Sequence, residues 1–237
     1  MLFQSDFSRL FIIFVPQPLL SIIFLTLAFM LLRRKRERTP ITLSLWYLSV
    51  GIGLILNAIY ALITEFFPTN EILIYFLYFT SFYLITISSI FLLMFIVDLI
   101  KSEFTIQKLI FFVILYCSLS AVIVFLSGGI TLDSVNNWRP VFSWFFFILL
   151  ASFYTITILI PTIYYSVKLY SFFQAQNLKK KYRNFMIGVF GMLIVVYGAA
   201  LFNTWQNDLF QSIWSIITFC LITPSAFLIY FGIGTKL

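Results

Sequence analysis

The chain has 237 residues, 62% of them hydrophobic and 10% charged, with a net charge of +7. A soluble domain carries about 25% charged residues, so the apolar excess is read as surface facing lipid and not as one oversized core. The basic residues sit in short links beside apolar runs; their expected counter-charge is the lipid bilayer's anionic inner-leaflet lipid and not nucleic acid.

A spanning helix needs about 20 residues, and seven apolar runs reach that length, at about 11–32, 41–63, 72–98, 109–127, 141–167, 185–205 and 212–233. They predict an all-α, seven-transmembrane-helix bundle forming a single domain over residues 1–237, multi-pass in the cell membrane. Met1 to Leu10 lacks the basic flank of a cleaved signal peptide, so the first run is expected to be a retained helix. Directly after it stands Arg33-Arg34-Lys35-Arg36-Glu37-Arg38. Such a cluster stays on the cytoplasmic side, which puts the N-terminus outside. Counting onward, thirteen of the fifteen basic residues fall inside, leaving Arg9 and Arg139 outside, and the C-terminus is cytoplasmic.

Pro16-Gln17 in the first helix is similar to the proline–glutamine motif of PQ-loop and SWEET transporters, but helix five carries Pro161-Thr162, so Pro16 is read as a proline opening a helix. In helix two, Ser49, Gly53, Asn57 and Ala61 recur every four positions and predict a close-packed seam in which Asn57 bonds a neighbour. Ser81, Thr86, Ser88 and Ser89 make helix three locally polar and place it inside the bundle, with Asp98 near its inner end. The link from Gly128 to Pro140 is the most polar exposed segment, and the basic inner link from Lys168 to Asn184 is the longest cytoplasmic one. Gly188, Gly191 and Gly198 give helix six a close-packing face, while Pro161 and Pro224 are expected to kink helices five and seven. Trp138, Trp144, Trp205 and Trp214 mark outer helix ends.

The chain offers little for chemistry. With no histidine, histidine-ligated haem, zinc or copper and histidine base catalysis are excluded. Cys117 and Cys220 lie in apolar runs as small hydrophobes. No carboxylate stands at mid-membrane, where an ion-coupled carrier places one, and the last run lacks the lysine of a retinal protein. No catalytic set, metal site or cofactor is expected, and the chain is read as a non-enzyme. Candidate ligand-binding residues are Asn57, Tyr60, Tyr83, Trp144, Tyr154, Tyr197, Asn203 and Trp205, apolar rings and amides suited to a small amphipathic or lipidic ligand. Candidate contacts to a cytoplasmic partner or to lipid are Arg33, Arg34, Lys35, Arg36, Lys179, Lys180, Lys181 and Arg183.

Four features occur together: the cluster Arg33–Arg38, the Leu45-Trp46-Tyr47 opening of helix two, Phe95-Ile96-Val97-Asp98 with Lys101, and Pro224 followed by Tyr230 and Lys236. In these the chain resembles the seven-helix sensor module at the N-terminus of some bacterial and archaeal histidine kinases. The resemblance implies signal reception outside or within the membrane and relay to a cytoplasmic partner. A kinase domain would begin where this chain stops at Leu237, so output through another protein is implied. The layout is also similar to G-protein-coupled receptors, although Asp98 is followed by Leu99 and not Arg, and Pro224 lacks a preceding Asn. The expected function is receptor-like, sensing a small or lipidic ligand and acting on a cytoplasmic signalling protein. The alternatives are a non-catalytic anchoring subunit among other membrane subunits and a facilitator for a neutral solute.

Overall fold

The structure, a computed structural model, describes residues 16–33, 38–100 and 106–234. Its helices are α1 (Pro16–Leu32), α2 (Arg38–Phe66), α3 (Glu71–Leu99), α4 (Ile106–Val124), α5 (Trp144–Phe172), α6 (Gln176–Thr204) and α7 (Asp208–Ile229). Six of them, α2 to α7, are long and apolar enough to cross a membrane, and the described part of α1 is a shorter apolar helix of 17 residues. The remainder of the predicted first run, residues 11–15, lies outside the described residues, as do Arg34, Lys35 and Arg36. Among the described residues the only strands are β1 (Ile130–Thr131) and β2 (Val141–Phe142), an antiparallel hairpin inside the α4–α5 link. Val141 and Phe142, which hydropathy assigned to helix five, therefore belong to the hairpin, and α5 starts behind them.

Helix starts follow local chemistry. Asn70, Ser143 and Asn207 cap α3, α5 and α7, each side chain accepting from the N–H three residues on. The start of α6 at Ala175 has no side-chain cap.

The helices pack as neighbours in chain order, α7 returns to touch α1, and α3 contacts α2, α4 and α5. As its serines and threonine predicted, α3 is the most buried of the long helices, with Ser81, Thr86, Ser88 and Ser89 all buried. Small residues set the spacing. Ser21 donates to the Gly51 carbonyl at 3.0 Å and Ser44 to that of Ala28 at 3.1 Å, joining α1 to α2. On the other side of α2, Ser81 donates to the Gly53 carbonyl at 3.0 Å. Asn57 of the predicted seam donates its amide to Gln17 Oε1 at 3.1 Å.

At one end of the bundle Arg38 Nη2 lies 2.9 Å from Asp98 Oδ1, and the Thr42 hydroxyl, which is 2.9 Å from the Thr39 carbonyl, lies 3.4 Å from the other carboxylate oxygen. The Asp98 side chain is 6% exposed and that of Arg38 is 40% exposed. Because Arg38 can return to water, Asp98→Ala is expected to cost about 1–3 kcal/mol, below the loss typical of a fully buried pair. Denaturation followed by tryptophan fluorescence in detergent measures it; an unchanged midpoint would show that the pair adds no stability.

Candidate functional site

Three groups of polar side chains sit at three levels of the bundle. At the level of the hairpin, the α4–α5 link folds down onto α2 and α3. Tyr60 donates to the Trp138 carbonyl, and Tyr75 donates to that of Leu132 at 2.7 Å. Leu132, Trp138 and Phe142 are buried, and the Tyr75 and Trp138 rings meet edge to face at 6.2 Å. Phe142 packs on Phe82 and Phe146. The polarity of Asn136, Asn137 and Arg139 suggested an exposed link; in the fold those residues turn the chain while Leu132 and Trp138 go inward. Asn137 and Trp138 both hold positive φ, 51° and 55°. A tryptophan in that region is strained and stays there because its ring is held in the packed layer. Its N–H donates to the Asp133 carbonyl at 2.8 Å, closing the turn.

At mid-bundle the Thr86 carbonyl accepts from two tyrosines, Tyr116 of α4 at 3.2 Å and Tyr154 of α5 at 3.0 Å. Tyr83 donates to the Cys117 carbonyl at 3.1 Å. Helix α5 then widens into a π-turn at Thr155–Leu159, where the Ile160 N–H bonds back to the Thr155 carbonyl. The cause follows directly: Pro161 has no N–H for the Thr157 carbonyl, and its ring crowds that turn. Thr155 donates its hydroxyl proton to the Ala151 carbonyl at 2.7 Å, so the 2.7 Å contact with Tyr197 of α6 has tyrosine as donor.

At the opposite end from the hairpin, the α5–α6 turn bounds a cleft of about 560 Å³ lined by Tyr170, Gln176, Asn177, Lys179, Lys180 and Arg183. The Lys179 ammonium lies 5.6 Å from the centre of the Tyr170 ring, within cation–π range. Lys181 is part of the same charge run but does not line the cleft. Arg33 packs its guanidinium 4.3 Å from the centre of the Phe29 ring.

The eight candidate ligand residues are thus distributed through the bundle. Tyr154 and Tyr197 meet, with ring centres 6.4 Å apart, and Tyr83 lies on the neighbouring α3–α4 seam. Tyr60 supports the hairpin, and Asn57 ties α2 to α1. Asn203 bonds back to its own helix at Ala199. Trp144 and Trp205 are 56% and 46% exposed, as suits rings at a membrane boundary. A shallow groove of about 340 Å³ runs along α5 beside this cluster, lined by Phe147, Ile148, Ala151, Ser152, Thr155 and Ile156. Sequence reading missed Tyr116, Gln17 and Trp138 as partners of these residues. The signal that could have found them was chemical: a tyrosine or glutamine within an apolar run must find a hydrogen-bond partner.

Among the described residues no group of three or more His, Cys, Asp or Glu could hold a metal ion. Comparison with known proteins finds no matching family model, no matching curated protein and no matching solved structure.

Proposed function

We propose that this chain is a receptor-like seven-helix integral membrane protein, with its N-terminus outside and its C-terminus cytoplasmic, that senses a small or lipidic ligand and acts on a cytoplasmic signalling partner. One observation carries the reading. Helix α5 follows the hairpin directly at one end, runs into the basic turn before α6 at the other, and is widened between them at Thr155–Leu159. A π-turn is a frequent mark of functional sites in helices, and here its threonine bonds Tyr197 of the next helix. A ligand that changes the Tyr154–Thr155–Tyr197 contacts would act on the helix whose inner end presents Lys179, Lys180, Lys181 and Arg183. The 13-to-2 division of basic residues between the two sides supports the orientation.

Two measurements test it. With Cys117 and Cys220 replaced by alanine, the variant Asp133→Cys should react with a membrane-impermeant maleimide in intact cells. The variant Lys180→Cys should react only after permeabilisation; the reverse pattern overturns the orientation. The triple variant Lys179→Gln, Lys180→Gln, Lys181→Gln should lose any cytoplasmic polypeptide that copurifies with the wild type. An undiminished complex rules out this turn as the contact, and solute uptake by protein-loaded liposomes would favour a facilitator instead.

A further inference from the structure

We infer that the cleft at the α5–α6 turn is a binding site for a phosphomonoester, the headgroup of an anionic lipid or a soluble phosphate ester. The inference rests on the cytoplasmic placement of this turn proposed above and gives the basic face a defined ligand. Its first support is geometric. Gln176, Lys179, Lys180 and Arg183 fall at helical spacings of three, four and seven, so they share one side of α6, and Tyr170 of α5 closes the cleft opposite them. Three cations and two side-chain amides therefore surround one hollow.

Electrostatics favours the same ligand. From Ser134 to Asn207 the sequence has no Asp or Glu, so neither α5 nor α6 supplies a counter-charge for these cations. The start of α6 adds to the field: the N–H groups of Gln176, Asn177 and Leu178 are the orphan donors of a helix N-terminus, Ala175 offers no side-chain cap, and the dipole attracts an anion. The Lys179 N–H already bonds the Ala175 carbonyl at 3.1 Å. Arg183 can grip two phosphate oxygens side by side, whereas the lysines act as point charges. A doubly charged monoester uses this arrangement better than a singly charged diester.

The test uses the full chain in phosphatidylcholine nanodiscs containing 5 mol% of either phosphatidic acid or phosphatidylglycerol, read by native mass spectrometry. The wild type should retain one phosphatidic acid in preference to phosphatidylglycerol. The double variant Lys179→Gln, Arg183→Gln should weaken retention about 25-fold, at about fivefold for each basic residue near an anionic surface. The double variant Lys108→Gln, Lys168→Gln removes the same charge from exposed positions outside the cleft and should leave retention unchanged; circular dichroism and gel filtration confirm folding of each variant. Equal losses in both variants, or equal retention of the two lipids, overturn the site. Displacement by micromolar glycerol 3-phosphate supports the site and assigns it to a soluble ester, while displacement only at millimolar levels assigns it to lipid. Retention in nanodiscs does not depend on sidedness, so a failed cleft and a failed orientation give separate results.

Discussion

Replacing Trp138 with alanine is expected to lower stability in detergent by about 3–5 kcal/mol, the cost usual for deleting a large buried aromatic ring. Trp138 is 5% exposed although it lies in a link between helices, and it completes a layer with Tyr75, Tyr60 and Tyr78. Losing the ring empties that layer, and it also removes the packing that keeps residue 138 at positive φ. The hairpin should then open while the helices persist. Limited proteolysis between Asp133 and Arg139 should therefore accelerate far more than helical content falls. Tyr60→Phe, which removes only the hydroxyl that donates to the Trp138 carbonyl, should cost about 1 kcal/mol. If Trp138→Ala leaves both the proteolysis rate and the melting temperature unchanged, the hairpin is not a structural part of the bundle.

The second large effect is expected at the α6–α7 seam. A Cβ at Gly188 would lie 2.7 Å from the Ser225 carbonyl oxygen and 3.0 Å from the Ile229 nitrogen. Both are backbone atoms of α7 and cannot step aside, so Gly188→Val must push α7 away. We expect a loss of about 3 kcal/mol, at the upper end of overpacking costs. It exceeds the gain of under about 1 kcal/mol from replacing a helical glycine. Ile187→Val, one residue away and 54% exposed, should stay within about 0.5 kcal/mol of the wild type. Gly191→Ala meets chiefly the Ser225 hydroxyl, which can rotate away, and should be far milder than the valine at 188. A neutral Gly188→Val would mean that α6 and α7 are not so closely apposed.

How far the fold could be read in advance depended on which forces leave a mark in composition. The long helices were legible because burying a backbone in lipid demands continuous apolar runs: the run predicted over 72–98 is the helix Glu71–Leu99, and that over 41–63 is Arg38–Phe66. Helix ends extended further than hydropathy suggested, most clearly at α6, which begins at Gln176 and carries its lysines on its first two turns. Which face of each helix turns inward was not legible, because lipid and core are equally apolar and a hydrophobic stripe cannot separate them. The informative residues were the small and hydroxylated ones. Ser81, Gly53 and Gly188 sit where helices touch, as their types implied. The hairpin escaped notice since two residues of regular strand pairing leave no periodicity, and its buried ring stands between Asn137 and Arg139. The candidate ligand residues were chosen for their rings and amides; that chemistry located Tyr154 and Tyr197 on one contact and could not tell that Tyr60 supports the hairpin, whereas the four-residue spacing in helix two had already put Asn57 on a helix seam.

The closed hairpin also has a kinetic consequence. A ligand of the proposed kind that entered past the hairpin would have to wait for Leu132, Trp138 and Phe142 to leave their packed layer. The observed association rate would then level off as ligand concentration rises, at the frequency with which the layer opens. A compound arriving sideways through the bilayer would show no such plateau, and its rate would follow its solubility in the membrane.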